Sequence, residues 1–168
     1  MKKISTILAN RKSCRSFLSK GVPIDDIYTM LESARWAPSG KNGQPWRFVI
    51  VRNNEIIRKI SNFSIYKDWM EEANAFIVVY LDREKSYHYK KDLQGIGAAI
   101  ENICLQATEM KIGTCWIGEI LANENLVNEI ISVPKSYELM AVICVGYEKD
   151  KGMKTERLKL EELIYKII

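Results

Sequence analysis

Three long apolar runs limit the fold of this chain more than any other feature. They are Trp46-Arg47-Phe48-Val49-Ile50-Val51, broken only by Arg47, then Ala75-Phe76-Ile77-Val78-Val79-Tyr80-Leu81 and Leu139-Met140-Ala141-Val142-Ile143-Cys144-Val145. Successive side chains of a strand point to opposite faces, so a run without polar alternation is buried on both. The spacing therefore predicts central strands covered by other elements above and below. Thr114-Cys115-Trp116-Ile117 is a fourth, shorter strand. Helical patterns separate the four, which describes an α+β or α/β domain. The 168 residues contain no repeat, linker or shift of composition, so residues 1–168 read as one domain.

The helices follow from apolar spacing. Ile4, Ile7 and Leu8 mark a short one over 2–9. Ile24, Ile27, Leu31 and Ala34 mark a second over 24–36, opened by Pro23 and by Asp25 and Asp26 in the first turn. Asn53 or Asn54 caps a third that ends near 62. Residues 63–73, with Phe63, Tyr66 and Trp69, form an aromatic helical segment or lid, and 82–91 is a polar loop in which His88 is a surface residue. The longest helix covers 92–111, with Ile96, Ile100, Ile103, Ala107 and Met110 on one face. Gly95, Gly97, Ala98 and Ala99 keep its first half thin, so another backbone can pack closely there. Gly113 ends it. Gly95-Ile96-Gly97 is not a dinucleotide fingerprint, because no strand directly precedes it and the third glycine is missing. Asn123 caps a helix over 124–132, and the tail from 154 to 163 closes in one or two amphipathic turns.

Composition excludes several function classes. The formal charge is +4, from 25 basic and 21 acidic residues, and the basic residues are dispersed. This suits an anionic small ligand better than a nucleic-acid track. Cys14, Cys104, Cys115 and Cys144 have no Cys-x-x-Cys spacing and His88 is the sole histidine, so a zinc site is not expected. Widely spaced cysteines suggest buried reduced thiols and a cytoplasmic protein. No stretch approaches a membrane span, and no Ser-His-Asp set can be assembled without placing all its weight on His88.

Two polar stretches remain. Arg11-Lys12-Ser13-Cys14-Arg15 places three cations and a hydroxyl within five residues. Extended, it would aim Arg11, Ser13 and Arg15 in one direction, either as a phosphate grip or as a solvated basic loop. Ala34 to Trp46 joins helix to strand. Pro38 and Pro45 bracket Gly40 and Gly43, glycines free in φ, with neutral Ser39, Asn42 and Gln44 between them and Trp36 and Trp46 adding flat surface. Such a loop can press its backbone on a planar, heteroatom-rich ligand, or it can be an ordinary connector.

Taken together and in order, three segments resemble the FMN-dependent nitroreductases. They are Arg11-Lys12-Ser13-Cys14-Arg15, then Ala37-Pro38-Ser39-Gly40-Lys41-Asn42-Gly43-Gln44-Pro45-Trp46, then the long helix leading into Gly113-Thr114-Cys115-Trp116-Ile117-Gly118. Gly146-Tyr147 followed by Arg157-Leu158 is a weaker fourth match. The resemblance runs from residue 11 to about 163. It implies a largely antiparallel sheet wrapped by helices, in an intertwined homodimer with two FMN molecules at the interface. Arg11, Lys12, Ser13 and Arg15 would hold the phosphate and ribityl end, with Arg157 closing from the tail. Pro38, Ser39, Asn42 and Gln44 would contact the flavin from the partner chain, and Ile117 and Gly118 would lie near its reactive face. NAD(P)H would reduce the flavin, and a nitroaromatic, quinone or similar acceptor would take the electrons in a ping-pong cycle. No catalytic side chain is implied, since the flavin carries the chemistry. Other flavin chemistry on the same scaffold (dehalogenating, flavin-consuming or azoline-oxidising) and a non-enzymatic FMN-binding protein are the rival readings. Arg35, Lys41 and Lys67 are candidate contacts for the nucleotide phosphates, although each is first read as a solvated surface cation.

Overall fold

The computed structural model describes residues 4–150 and 155–168. Strands β1 (Trp46–Val51), β2 (Ala75–Asp82), β3 (Gly113–Ile117) and β4 (Tyr137–Gly146) form one sheet in the order β1-β2-β4-β3, with every neighbouring pair antiparallel. β2 and β4 are central, as their apolar runs predict, and every residue of β2 is buried. β1 is not: it lies at an edge, and Phe48, Val49 and Ile50 are only half-buried. An apolar run reports that a strand wants cover on both faces; it does not say which strand lies beyond it.

Helices α1 (Ile4–Asn10), α2 (Ile24–Arg35), α3 (Asn54–Ser61), α4 (Lys67–Met70), α5 (Tyr89–Glu109), α6 (Glu124–Ile131) and α7 (Leu160–Leu163) complete the chain. Alternation along the strands separates two cores. Ile77, Val79 and Leu81 of β2 join Ala141, Ile143 and Val145 of β4 under α2 and α5. Phe76, Val78 and Tyr80 join Val142 and Cys144 on the opposite face, against Ile57 and Ile60 of α3, Met70 of α4 and Val127 of α6. The aromatic segment after α3 is tied to this second core. Met70 is fully buried, Asn123 donates to the Phe63 carbonyl at 2.7 Å, and Ser64 donates to Glu119 at 2.6 Å.

Local chemistry shifts some boundaries. α5 starts at Tyr89, three residues before the expected start at 92, because Asp92 accepts from the Ser86 hydroxyl and the His88 amide at 2.8 and 2.9 Å and so stabilises its first turn. Asn53 caps α3 as expected, accepting from the amides of Glu55 and Ile56. Asn123 does not cap α6; its side chain is spent on Phe63. Nor does Gly113 end α5. Lys111 takes the left-handed conformation there (φ 61°), and Gly113 opens β3, where a Cβ would stand 2.8 Å from the Cys14 sulfur.

Candidate flavin site

The loop between α2 and β1 is held from three sides. A Cβ on Gly95 would lie 3.1 Å from the Pro38 carbonyl, so the thin half of α5 admits the loop backbone, as the small residues predict. A Cβ on Gly40 would stand 2.8 Å from the Tyr87 ring. The exit is stapled by Arg47, whose guanidinium donates to the Gln44 and Trp46 carbonyls at 3.2 and 2.8 Å and pairs with Asp82 at 2.8 Å. Inside the loop, the Ser39 hydroxyl accepts from the Gln44 amide at 3.0 Å, and the Gln44 side chain donates to the Asn42 carbonyl at 3.2 Å.

Gly40 and Gly43, the glycines free in φ, do not take the left-handed backbone. Lys41 (φ 54°), Asn42 (φ 55°) and Gln44 (φ 46°) do, while no described glycine has positive φ and Gly43 sits at −69°. A left-handed side-chain-bearing residue costs about 1–2 kcal/mol, less for Asn. Three in four positions persist only where surrounding contacts impose them, and such strain gathers at functional sites. The glycines serve close approach instead. Trp46 is buried in the core and offers no ligand surface, whereas Trp36 is 74% exposed. Pro38 and the Asn42 side chain face outward, and the Asn42 amide has no side-chain partner among the described residues.

The basic segment lies along the free edge of β3. Ser13 bridges to Thr114, the Cys14 amide donates to the Thr114 carbonyl at 2.8 Å, and Phe17 bridges to Glu148 beyond the end of β4. Its extended form brings Arg11, Ser13 and Arg15 to one place, as the alternation predicts. Burial pushes the Cys115 thiol up, against the pull of Arg15, a hydrogen bond from Ser13 and the field of Arg11. Arg11 has one long contact, 3.5 Å to Glu101, and Arg15 is exposed with no ion pair among the described residues. Lys12 points elsewhere. It pairs with Glu148 at 2.6 Å, beside a cleft of about 250 Å³ that Cys14 and Lys111 also line. Along β3 from this cluster, Ile117 is buried, and Gly118 is exposed with open space around its α-carbon. Arg157 is in the exposed tail; among the described residues it bonds to Thr155 and the Glu156 carbonyl, and no contact joins it to Arg11.

The two halves meet the same helix on different sides. The loop rests on Gly95, and Arg11 reaches Glu101. Six residues of α-helix separate these points by about 9 Å along the axis and about 120° around it. Among the described residues no three His, Cys, Asp or Glu side chains gather to hold a metal ion, and no helix is long and apolar enough to cross a membrane.

A sequence profile of the nitroreductase family matches residues 8–65 and 63–147, most of the chain. The chain belongs to the nitroreductase family. It is similar to an Archaeoglobus fulgidus protein provisionally named NADH dehydrogenase/NAD(P)H nitroreductase, with 32% identity over 90% of this chain and 88% of that protein. It is also similar to a Bacillus subtilis FMN reductase [NAD(P)H], with 24% identity over 96% of this chain and 72% of that one. Among solved structures, a provisionally named nitroreductase from Desulfovibrio desulfuricans, crystallised in complex with FMN, superposes with a TM-score of 0.94 at 28% identity, covering 100% of this chain and 98% of that one. Against this family background, sequence reasoning missed the supports of the loop: Arg47, Asp82 and Tyr87. Arg47 was the one signal available, a lone cation inside an apolar strand.

Proposed function

We infer that this nitroreductase-family chain is an FMN-dependent oxidoreductase that takes electrons from NAD(P)H and passes them to a nitroaromatic, quinone or similar acceptor. The carrying observation is the convergence of Arg11, Ser13 and Arg15 on the edge of β3, a strand length from Gly118. The donor set fits FMN. Among the described residues Arg15 has no carboxylate partner and Arg11 has one, Glu101 at 3.5 Å, so both can turn to a phosphate of about −1.5 to −2 charge. The strained loop offers neutral donors and acceptors to a heteroatom-rich ring. When bound, the flavin supplies the two-electron chemistry.

The residues of the chain bind and orient. Arg11, Ser13 and Arg15 hold the phosphate and neighbouring hydroxyls. Ile117 supplies an apolar wall, and the open space at Gly118 lets a planar substrate approach. Pro38, Ser39, Asn42 and Gln44 act on the flavin held by a second copy, since α5 turns the loop and the arginines to different sides of one chain. Lys12, committed to Glu148, drops out of the phosphate set. Donor and acceptor use the same open face in turn, which makes the cycle ping-pong.

Two features support a homodimer. The edge strand β1 is half-covered, and the described tail, residues 155–168, is exposed throughout while carrying Leu158, Leu160, Leu163, Ile164, Tyr165, Ile167 and Ile168. Burying one such side chain contributes about 1.5–3 kcal/mol. The tail embraces the partner and carries Arg157 to its phosphate. The test is the visible spectrum of the purified protein with added FMN: a bound-flavin spectrum bleached by NADH or NADPH and restored by a nitroaromatic or quinone is expected. A protein that takes up no FMN overturns the reading.

A further inference from the structure

The loop that bears the flavin contacts also bears a cation clamp with no anion in it. The Lys41 ammonium lies 4.4 Å from the centre of the Tyr87 ring and the Lys91 ammonium 5.1 Å from it. Two like charges share one ring, and neither has a carboxylate within ion-pair distance among the described residues. The nearby acids are engaged or apart. Asp92 is buried and accepts from Ser86 and His88, and Glu84, the exposed carboxylate of the same turn, pairs with neither lysine.

This pairing is built rather than incidental. Lys41 is held in left-handed backbone, and the Tyr87 ring fills the space where Gly40 lacks a Cβ. Any side chain at residue 40 would displace the ring, and any relaxation of Lys41 would swing its ammonium off it. Bringing cations together around a ring costs repulsion that a dianion would reverse. The other candidate cation of this loop region is already neutralised: Arg35 is bidentate to Glu32 at 2.8 and 2.6 Å.

Resting on the FMN and NAD(P)H reading above, the geometry points to Lys41, Lys91 and Tyr87 as the subsite for the 2′-phosphate of the reducing nucleotide. The chain thereby prefers NADPH to NADH. The two nucleotides differ only in that phosphomonoester, a dianion near neutral pH. Lys41 stands between Ser39 and Asn42, residues proposed above to contact the flavin, which sets the clamp beside that site.

The experiment titrates the FMN-loaded protein with adenosine 2′,5′-bisphosphate and with 5′-AMP by calorimetry, and follows flavin reduction by NADPH and NADH in a stopped-flow instrument. Wild type is expected to bind the 2′-phosphorylated probe about tenfold tighter or more. Lys41→Gln and Lys91→Gln each cut that preference, and the double variant removes it. Lys59→Gln, which takes the same charge from the distant helix α3, retains it. Equal binding of both probes by wild type, or a preference unchanged in the double variant, overturns the proposal. A preference that holds while neither nucleotide reduces the flavin keeps the phosphate subsite and defeats the NAD(P)H reading. Reduction by both nucleotides at equal rates, with equal probe binding, does the reverse.

Discussion

Arg15 and Lys12 are three residues apart and carry the same charge, yet the fold separates their roles. Lys12 is paired with Glu148, and Arg15 is exposed beside Ser13 and Arg11 without a partner among the described residues. A charge-assisted hydrogen bond contributes about 1.5–3 kcal/mol, so Arg15→Ala is expected to weaken FMN binding about tenfold to a hundredfold. Lys12→Ala should leave the flavin affinity within about a factor of three, since its ammonium is held by Glu148 away from Arg11, Ser13 and Arg15. Quenching of FMN fluorescence on titration into the apoprotein measures both. Cys104 carries a different prediction. Burial raises its thiol from 9.0 to about 11, against a hydrogen bond from Thr114. The folded chain therefore holds a proton that the unfolded chain releases earlier. The stability is complete below pH 9, falls as pH rises towards about 11, and the loss is on the order of 2–3 kcal/mol. Urea unfolding across that range should show the decline, and Cys104→Ala should flatten its slope. The alternation of residues 11–15 made the Arg11, Ser13 and Arg15 grouping legible. The fate of Lys12 was not, because Glu148 is distant in sequence and only the docking of the segment beside β4 brings it near.

At the scale of elements, the packing of small residues decides where the site can form. β3 can lie beside the basic segment because Gly113 leaves room for Cys14. A Cβ there would meet the Cys14 sulfur at 2.8 Å and the Gly146 carbonyl at 3.1 Å. Gly113→Ala is expected to destabilise the fold by about 1–3 kcal/mol, read as a drop in thermal midpoint, and to loosen flavin binding by shifting residues 11–15. The sequence spoke clearly wherever a periodic pattern coincided with burial, as in β2, β4 and α5. It misled at β1, an apolar strand at an edge. It was silent in the loop, where the left-handed backbone falls on Lys41, Asn42 and Gln44. Both failures share a cause. Edge position and loop strain are set by tertiary neighbours, here the absence of a fifth strand among the described residues and the grip of Arg47, Tyr87 and α5 on the loop.

At the scale of the molecule, α5 organises the account. It presents Gly95 to the loop and Glu101 to Arg11 on sides about 120° apart, the separation on which the proposed two-chain flavin site rests. In the homodimer proposed above, the exposed apolar tail would supply the area that holds the pair together. The decisive measurement mixes two disabled proteins: Arg11→Ala/Arg15→Ala chains, and chains carrying Asn42→Ala with Ser39→Ala. Each alone should bind FMN poorly. After unfolding and refolding together, mixed dimers contain one site with both halves intact, and the account predicts that tight FMN binding returns in the mixture. If the mixture binds no more FMN than its components, the flavin site is built within a single chain and the account is contradicted.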